Sequence, residues 1–230
     1  MPMKWMISIL LLFLLSVTPV YAAEPDIAAR GAALIDGKTG RLLWGRNAEE
    51  PMTMASTTKI MTAILVLENC EMDEIVTISK NAAHQPEVHM DLQEGERWKA
   101  GDLLSAMMLR SCNDAAVALA IYCGGTVEGF AQLMNDKARS LGLRGTHFEN
   151  PNGLDSPGHY STARDLAALA SYAMKNPLFA QTVSTKTVTV GNRVLQNHNK
   201  LLWRVEGADG VKTGYTKAAG RILVSTAKRN

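Results

Sequence analysis

Where the two hydrophobic periodicities fall is what most restricts the folds open to this chain. Strand-like runs lie at its two ends, and helical spacing fills the middle. Gly31 to Asp36 and Arg41 to Gly45 are short apolar runs separated by Gly37-Lys38-Thr39-Gly40, the pattern of a β-hairpin. Far along the chain, Thr185 to Val190 alternates, Gly191-Asn192 turns, and Arg193-Val194-Leu195 resumes. Asp209 to Thr216 and Arg221 to Ala227 form a further strand pair around Lys217-Ala218-Ala219-Gly220. Strands at both ends with helices between them predict an α/β chain of the α+β type. It has an antiparallel sheet of N- and C-terminal strands, flanked by helices, with a helical block inserted.

The middle supplies that block. From Ser56 onward, Ile60, Ile64 and Leu67 recur at helical spacing with Met61, Leu65 and Val66 filling in, which predicts a largely buried helix ending at Glu68-Asn69. Val76 to Ile78 reads as a short strand. Gly101 to Ala120 reads as two helices meeting near Ser111-Cys112-Asn113 and stopping at Gly124-Gly125. Thr126 to Leu141 is amphipathic, with Phe130, Leu133, Met134 and Ala138 on one face. Thr162 to Lys175 is a helix capped by Ser161 or Thr162 and stopped by Asn176-Pro177. With 230 residues and 47% hydrophobic content, the chain is large enough for one substantial core.

The first residues read as an address. Lys4 precedes an apolar run from Met6 to Val17, Pro19 breaks it, and Val20-Tyr21-Ala22-Ala23 offers small residues for cleavage. Residues 1–22 are therefore expected to be a signal peptide, too short to span a bilayer comfortably, followed by a domain at 23–230 that works outside the cytoplasm. The net charge of +2 is spread along the chain without a Lys/Arg block, which argues against a nucleic-acid partner. Cys70, Cys112 and Cys123 are odd in number, so they cannot form a closed framework, although a Cys70–Cys123 bridge suits an oxidising compartment. The histidines lack the spacing of a zinc site, and no metal or cofactor is expected.

Three short motifs occur in order: Ser56-Thr57-Thr58-Lys59, Ser111-Cys112-Asn113 and Lys212-Thr213-Gly214. Serine is a poor nucleophile until a base takes its proton. A lysine three residues on shares its helical face, and an apolar setting favours the neutral amine that a base must be. Ser111 offers a hydroxyl for proton relay and Asn113 an amide to hold a peptide carbonyl. Lys212 and Thr213 on a strand edge suit a carboxylate, and Gly214 lets substrate approach the backbone. The same triplet at Lys38-Thr39-Gly40 follows Asp36-Gly37 in a hairpin and is explained as turn chemistry. Each motif alone has a plain structural reading, an N-cap serine or a polar helix junction; the three in this order behind a signal peptide are specific.

On these residues the chain resembles the low-molecular-mass penicillin-binding D-alanyl-D-alanine carboxypeptidases. The likeness covers nearly all of residues 30–230. It includes Ala55-Ser56-Thr57-Thr58-Lys59-Ile60-Met61-Thr62, Phe148-Glu149-Asn150-Pro151-Asn152-Gly153-Leu154, Asn197-His198-Asn199-Lys200-Leu201-Leu202, and Gly210 to Thr216 followed by Ala219-Gly220. The resemblance implies a β-lactamase/transpeptidase-like fold with a five-stranded antiparallel sheet. Ser56 would attack the D-alanyl-D-alanine carbonyl, Lys59 act as base and Ser111 pass the proton on. Asn113 would position the substrate amide, Lys212, Thr213 and Gly214 would line the carboxylate site, and Ser56 and Tyr215 N–H groups would form the oxyanion hole. It implies a peptidoglycan pentapeptide substrate, acylation by β-lactams, and membrane association only through a C-terminal region. Cysteine at 112 departs from the usual glycine or aspartate, and its side chain is expected to point into the core. The family normally continues past Asn230 with a further strand, a packing helix and often a second domain, so a truncated chain is expected. A class A β-lactamase would need a deacylating glutamate with asparagine four residues on, whereas Glu149 is followed by Gly153. The other rivals are a cross-link endopeptidase, which uses the same site, and a sensor that keeps the serine but does not deacylate.

Overall fold

The computed structural model describes residues 24–86 and 88–229; the signal-peptide reading lies outside the described residues. β1 (Ala32–Ile35) and β2 (Leu42–Arg46) pair antiparallel. The Asp36 carboxylate closes their turn by accepting from the N–H groups of Lys38 and Thr39 and from the Thr39 hydroxyl. The first Lys-Thr-Gly triplet is thus turn chemistry, as its sequence context indicates.

The nucleophile helix begins more tightly than periodicity suggests. Ala55–Thr58 is a 3-10 turn, and α1 (Lys59–Asn69) follows from it. Ile60, Met61, Ala63 and Val66 are wholly buried, so α1 is covered on all sides and forms the axis of the core. β3 (Ile75–Thr77) pairs with β4 (Arg97–Lys99), a strand that its short polar sequence did not reveal. Between them lies α2 (Lys80–Ala83), capped by Ser79.

α3 (Ala100–Ser105) passes into a π-turn at Ala106–Arg110, and α4 (Asn113–Gly124) starts two residues later. The expected junction of two helices is there, with Ser111 at its apex. The alanines of α4 at 115, 116, 118 and 120 are buried and let it pack closely beside α1. Thr126 caps α5 (Val127–Ser140), whose Phe130, Met134 and Ala138 are buried, whereas Leu133 is exposed on its flank. Thr162 caps α6 (Ala163–Ala173) as expected. Asn176-Pro177 is more than a stop: the Asn176 side chain accepts from the N–H groups of Leu178 and Phe179 and starts α7 (Pro177–Ser184). β5 (Thr187–Val190) and β6 (Arg193–Gln196) form the expected hairpin. α8 (Leu201–Arg204) leads into β7 (Ala208–Thr216), which pairs with β8 (Gly220–Ala227).

The N- and C-terminal strands both pack on α6, but among the described residues they do not pair into the single antiparallel sheet that was expected, nor into a five-stranded one. They form two antiparallel hairpins, β1–β2 and β7–β8, that are not hydrogen-bonded to each other. A groove of about 790 Å³ lies between them, lined by Ala33, Ile35, Leu166, Ala170, Ile222 and Val224.

A Cys70–Cys123 disulfide joins the C-terminal ends of α1 and α4 and leaves Cys112 free and buried. The bridge spans 53 residues. Closing a loop of that size removes about 4 kcal/mol of unfolded-chain entropy. Urea unfolding of a Cys70→Ser/Cys123→Ser variant should show a loss approaching that size; an unchanged midpoint would mean the bridge adds nothing.

Candidate active site

Four parts of the chain converge on the start of α1. Ser56 stands in the 3-10 turn, and Lys59 opens the helix one turn on. The Lys59 amine is fully buried and lies 3.2 Å from Ser56 Oγ. It donates to Asn113 Oδ1 at 2.7 Å and to the backbone carbonyl of Asn152. Burial holds its pKa well below the ordinary lysine value, and the neighbouring Lys212 charge pushes it in the same direction. A neutral amine has two N–H bonds and one lone pair. Two carbonyl-type oxygens take the N–H bonds, which leaves the lone pair for the Ser56 hydroxyl.

Asn113 comes from the first turn of α4 and is buried. Its Nδ2 donates to Pro86 O at 3.0 Å and its backbone N–H to Val88 O. Beside it, the Asp114 carboxylate accepts from the N–H groups of Met90 and Leu92. Pro86, Val88, Met90 and Leu92 are thereby anchored along one flank. Ser111 caps the π-turn with φ +70°, a conformation costly for a residue with a side chain. That twist turns its hydroxyl towards β7, where it lies 3.1 Å from Lys212 Nζ.

β7 forms the opposite wall. Lys212 is buried, donates to Thr213 O at 2.9 Å, and has its pKa pulled down to about 7 by burial. Both amines lose charge on burial, but they are not equivalent. Charge on Lys212 is a reason for Lys59 to be neutral, which fits Lys59 better to accept a proton and Lys212 to hold an anion. At Gly214 a Cβ would sit 3.1 Å from the Ser56 nitrogen, so a side chain there would crowd the Ser56 turn. Tyr215 follows with its side chain exposed at the rim. The Cys112 thiol is pushed up to about 12 by burial and Asp114, so it stays protonated and does not compete as a nucleophile.

The fourth wall is the loop from Phe148 to Ser161, of which Phe148 to Leu154 carry part of the family likeness without a site role in the sequence. Pro151 O accepts from the Thr62 hydroxyl, and Asn152 O holds Lys59. Gly153 (φ +88°) packs its backbone onto the carbonyl of Ala55, where a Cβ would fall 2.0 Å from that oxygen. Thr216 Oγ1 donates to Asp155 and ties the loop to β7. Glu149 points elsewhere: its carboxylate accepts from Ser156 and from the Gly158 N–H. Ser56, Lys59, Ser111, Asn113, Lys212, Thr213, Gly214 and Tyr215 therefore come together in one cleft. The sequence reading missed the carbonyls of Pro151 and Asn152 and the buried His159 behind the turn.

A family model described as D-alanyl-D-alanine carboxypeptidase matches residues 18–230. D-alanyl-D-alanine carboxypeptidase DacF of Bacillus subtilis is 36% identical over 215 residues, covering 87% of this chain and 54% of that protein. This chain thus spans about half the length of that curated relative. The crystal structure of the Streptomyces K15 DD-transpeptidase is similar at a TM-score of 0.86 and 36% identity, covering 90% of this chain and 88% of that one. Penicillin-binding protein D2 of Listeria monocytogenes, in an ampicillin-bound form, is similar at a TM-score of 0.80 and 34% identity, covering 89% and 87%.

Gly153 tests how the cleft is held. Gly153→Ala adds a strained positive φ to a backbone collision and should lower stability by roughly 1–3 kcal/mol in thermal unfolding. An unchanged melting temperature would show that the loop does not press on the nucleophile turn.

Proposed function

The chain belongs to the D-alanyl-D-alanine carboxypeptidase family, and on that footing we propose that it removes the terminal D-alanine of peptidoglycan stem pentapeptides through an acyl-enzyme on Ser56. We read residues 1–22 as an export signal and 23–230 as the peptidase domain, acting outside the cytoplasm on the cell wall. The observation that carries this reading is the Lys59 amine. It is buried, it donates to Asn113 Oδ1 and Asn152 O, and it lies 3.2 Å from Ser56 Oγ, where the lone pair of a neutral amine can take the hydroxyl proton.

The reaction follows from that geometry. Ser56 Oγ attacks the penultimate D-alanine carbonyl and its proton passes to Lys59 Nζ. The tetrahedral oxyanion is met by the N–H groups of Ser56 and Tyr215, each worth about 2.7–4 kcal/mol in such a site. As the C–N bond breaks, the departing amine takes a proton through the Ser111 hydroxyl. The terminal carboxylate lies against Lys212 and Thr213, beside the bare backbone of Gly214. Asn113, already oriented by Lys59 and Pro86, holds the substrate amide. Water then attacks the ester with Lys59 again as base. If an amine takes the place of water, the same acyl-enzyme gives a transpeptide; the likeness to the K15 DD-transpeptidase supports that as a second reading, and product analysis with an added amino-acid acceptor separates the two.

A β-lactam presents a strained amide and a carboxylate at matching positions, so it acylates Ser56. Among the described residues neither Ser56 nor Lys59 has a carboxylate hydrogen-bond partner, so the adduct is expected to persist. Intact-mass analysis after incubation with benzylpenicillin should show one adduct on the wild type and none on Ser56→Ala or Lys59→Ala. Acylation of a folded Lys59→Ala variant at the wild-type rate would remove lysine as the base.

Lys212 sets a pH limit. It carries its charge below about 7 and loses it above, and the free protein needs that charge to capture a carboxylate. The second-order rate constant for acylation should therefore fall as pH rises through about 7. Lys212→Arg, which keeps its charge, should lack that limb. A wild-type rate still rising from pH 7 to 9 would contradict this role.

A further inference from the structure

Behind the Ser56 turn lies a chain of protein hydrogen bonds that none of the steps above uses. His159 is 2% exposed and Thr58 is fully buried. The Glu149 backbone N–H points at His159 Nδ1 over 3.0 Å. An amide N–H only donates, so Nδ1 must carry the ring's lone pair and the neutral imidazole carries its proton on Nε2. That Nε2–H meets Thr58 Oγ1 at 2.7 Å. The threonine hydroxyl then gives its own proton to the carbonyl of Ala55 at 2.8 Å. Every link runs one way, from the loop to the residue just before Ser56.

Ala55 needs such a partner. Its φ is +44°, a region that residues with a Cβ seldom occupy. Its carbonyl is also pressed by Gly153, and nothing in its own side chain fixes that orientation. The Ala55 C=O and the Ser56 N–H belong to one planar trans peptide and point in opposite directions. To pin the carbonyl inward is to aim the Ser56 N–H outward, towards the Gly214 side of the cleft.

We infer that His159 is a positioning residue that, through Thr58, sets the direction of the Ser56 N–H and so the oxyanion hole. The inference rests on the acyl-enzyme reading above. The ring is kept neutral by its surroundings. Burial lowers its pKa to about 4, which outweighs the opposing pull of the Glu149 carboxylate, with His147 and Lys59 lowering it and Asp155 raising it to a lesser degree. Protonated, Nδ1 would present a proton to the Glu149 N–H and the chain would break at its first link. An oxyanion donor acts in the transition state rather than in the initial complex, so the effect belongs in the rate of acylation and not in affinity.

The test is stopped-flow acylation by benzylpenicillin, separating the first-order step from the dissociation constant. His159→Ala should slow that step about 10- to 100-fold, the range for a small misplacement of reacting groups, with the dissociation constant within about threefold. His159→Gln, which keeps a donor and an acceptor on one planar group, should restore most of the rate. The wild type should lose rate as pH falls through about 4, and His159→Gln should lack that limb. Thr58→Val breaks the same chain from the other side, and decides the matter if His159→Ala fails to fold. Its slowing should not add to that of His159→Ala in the double variant. Wild-type rates in the folded variants, or losses confined to the dissociation constant, would overturn the relay while leaving the acyl-enzyme intact. If the wild type itself is not acylated, the functional reading falls and the relay with it.

Discussion

One buried amine governs the arrangement of this molecule. Lys59 lies on the most enclosed helix in the fold, where a charged ammonium would be very costly, and the fold answers with neutrality and with carbonyl oxygens. Those oxygens arrive from Asn113 at the start of α4 and from Asn152 in the loop before α6. The π-turn and left-handed Ser111, the glycine at 153 and the close approach of β7 at Gly214 are the means of bringing distant segments to one atom. Lys212 completes the logic from the other wall. Two buried amines close together cannot both be charged cheaply, and in the proposed mechanism Lys212 keeps the proton while Lys59 serves as the base.

What the sequence displayed and what it hid separate along physical lines. The candidate site residues were legible as motifs: Ser56, Lys59, Ser111, Asn113, Lys212, Thr213, Gly214 and Tyr215 all come together at one cleft. The terminal strands were legible too, through the alternation of β5 and the turn residues of both hairpins. Backbone acceptors leave no signature. Asn152 contributes a carbonyl that any residue would supply, and its importance comes only from the loop's path. His159 looked like one of five isolated histidines because its partner, Thr58, is 101 residues away. Asn176-Pro177 was read as a stop because the residue that starts a helix also ends the one before it. The 3-10 and π-turns were invisible because they are set by what α1 and α4 pack against, not by local propensity.

Packing and chemistry are hard to separate here. α1 and α4 both begin at the cleft, lie side by side through small buried residues, and are bridged at their far ends by Cys70 and Cys123. A fixed far end and a close-packed middle leave little freedom at the near ends, where Lys59 meets Asn113. The loop from Phe148 to Ser161 then acts as a brace. It is tied to β7 through Asp155 and Thr216 and to the nucleophile turn through Gly153, Asn152 and His159.

Ala55 and Ser111 are both held at positive φ, one beside the nucleophile and one at the apex of the facing turn. Each such conformation costs roughly 1–3 kcal/mol, supplied by the surrounding core. The cleft is therefore a place where this chain has stability still to gain. Selection for thermal robustness alone would relax these two positions first, and would reach a sturdier molecule with a blunter site. A sequence evolved or designed around this fold that loses both strained residues has traded reactivity for rest, whatever becomes of its serine and lysines.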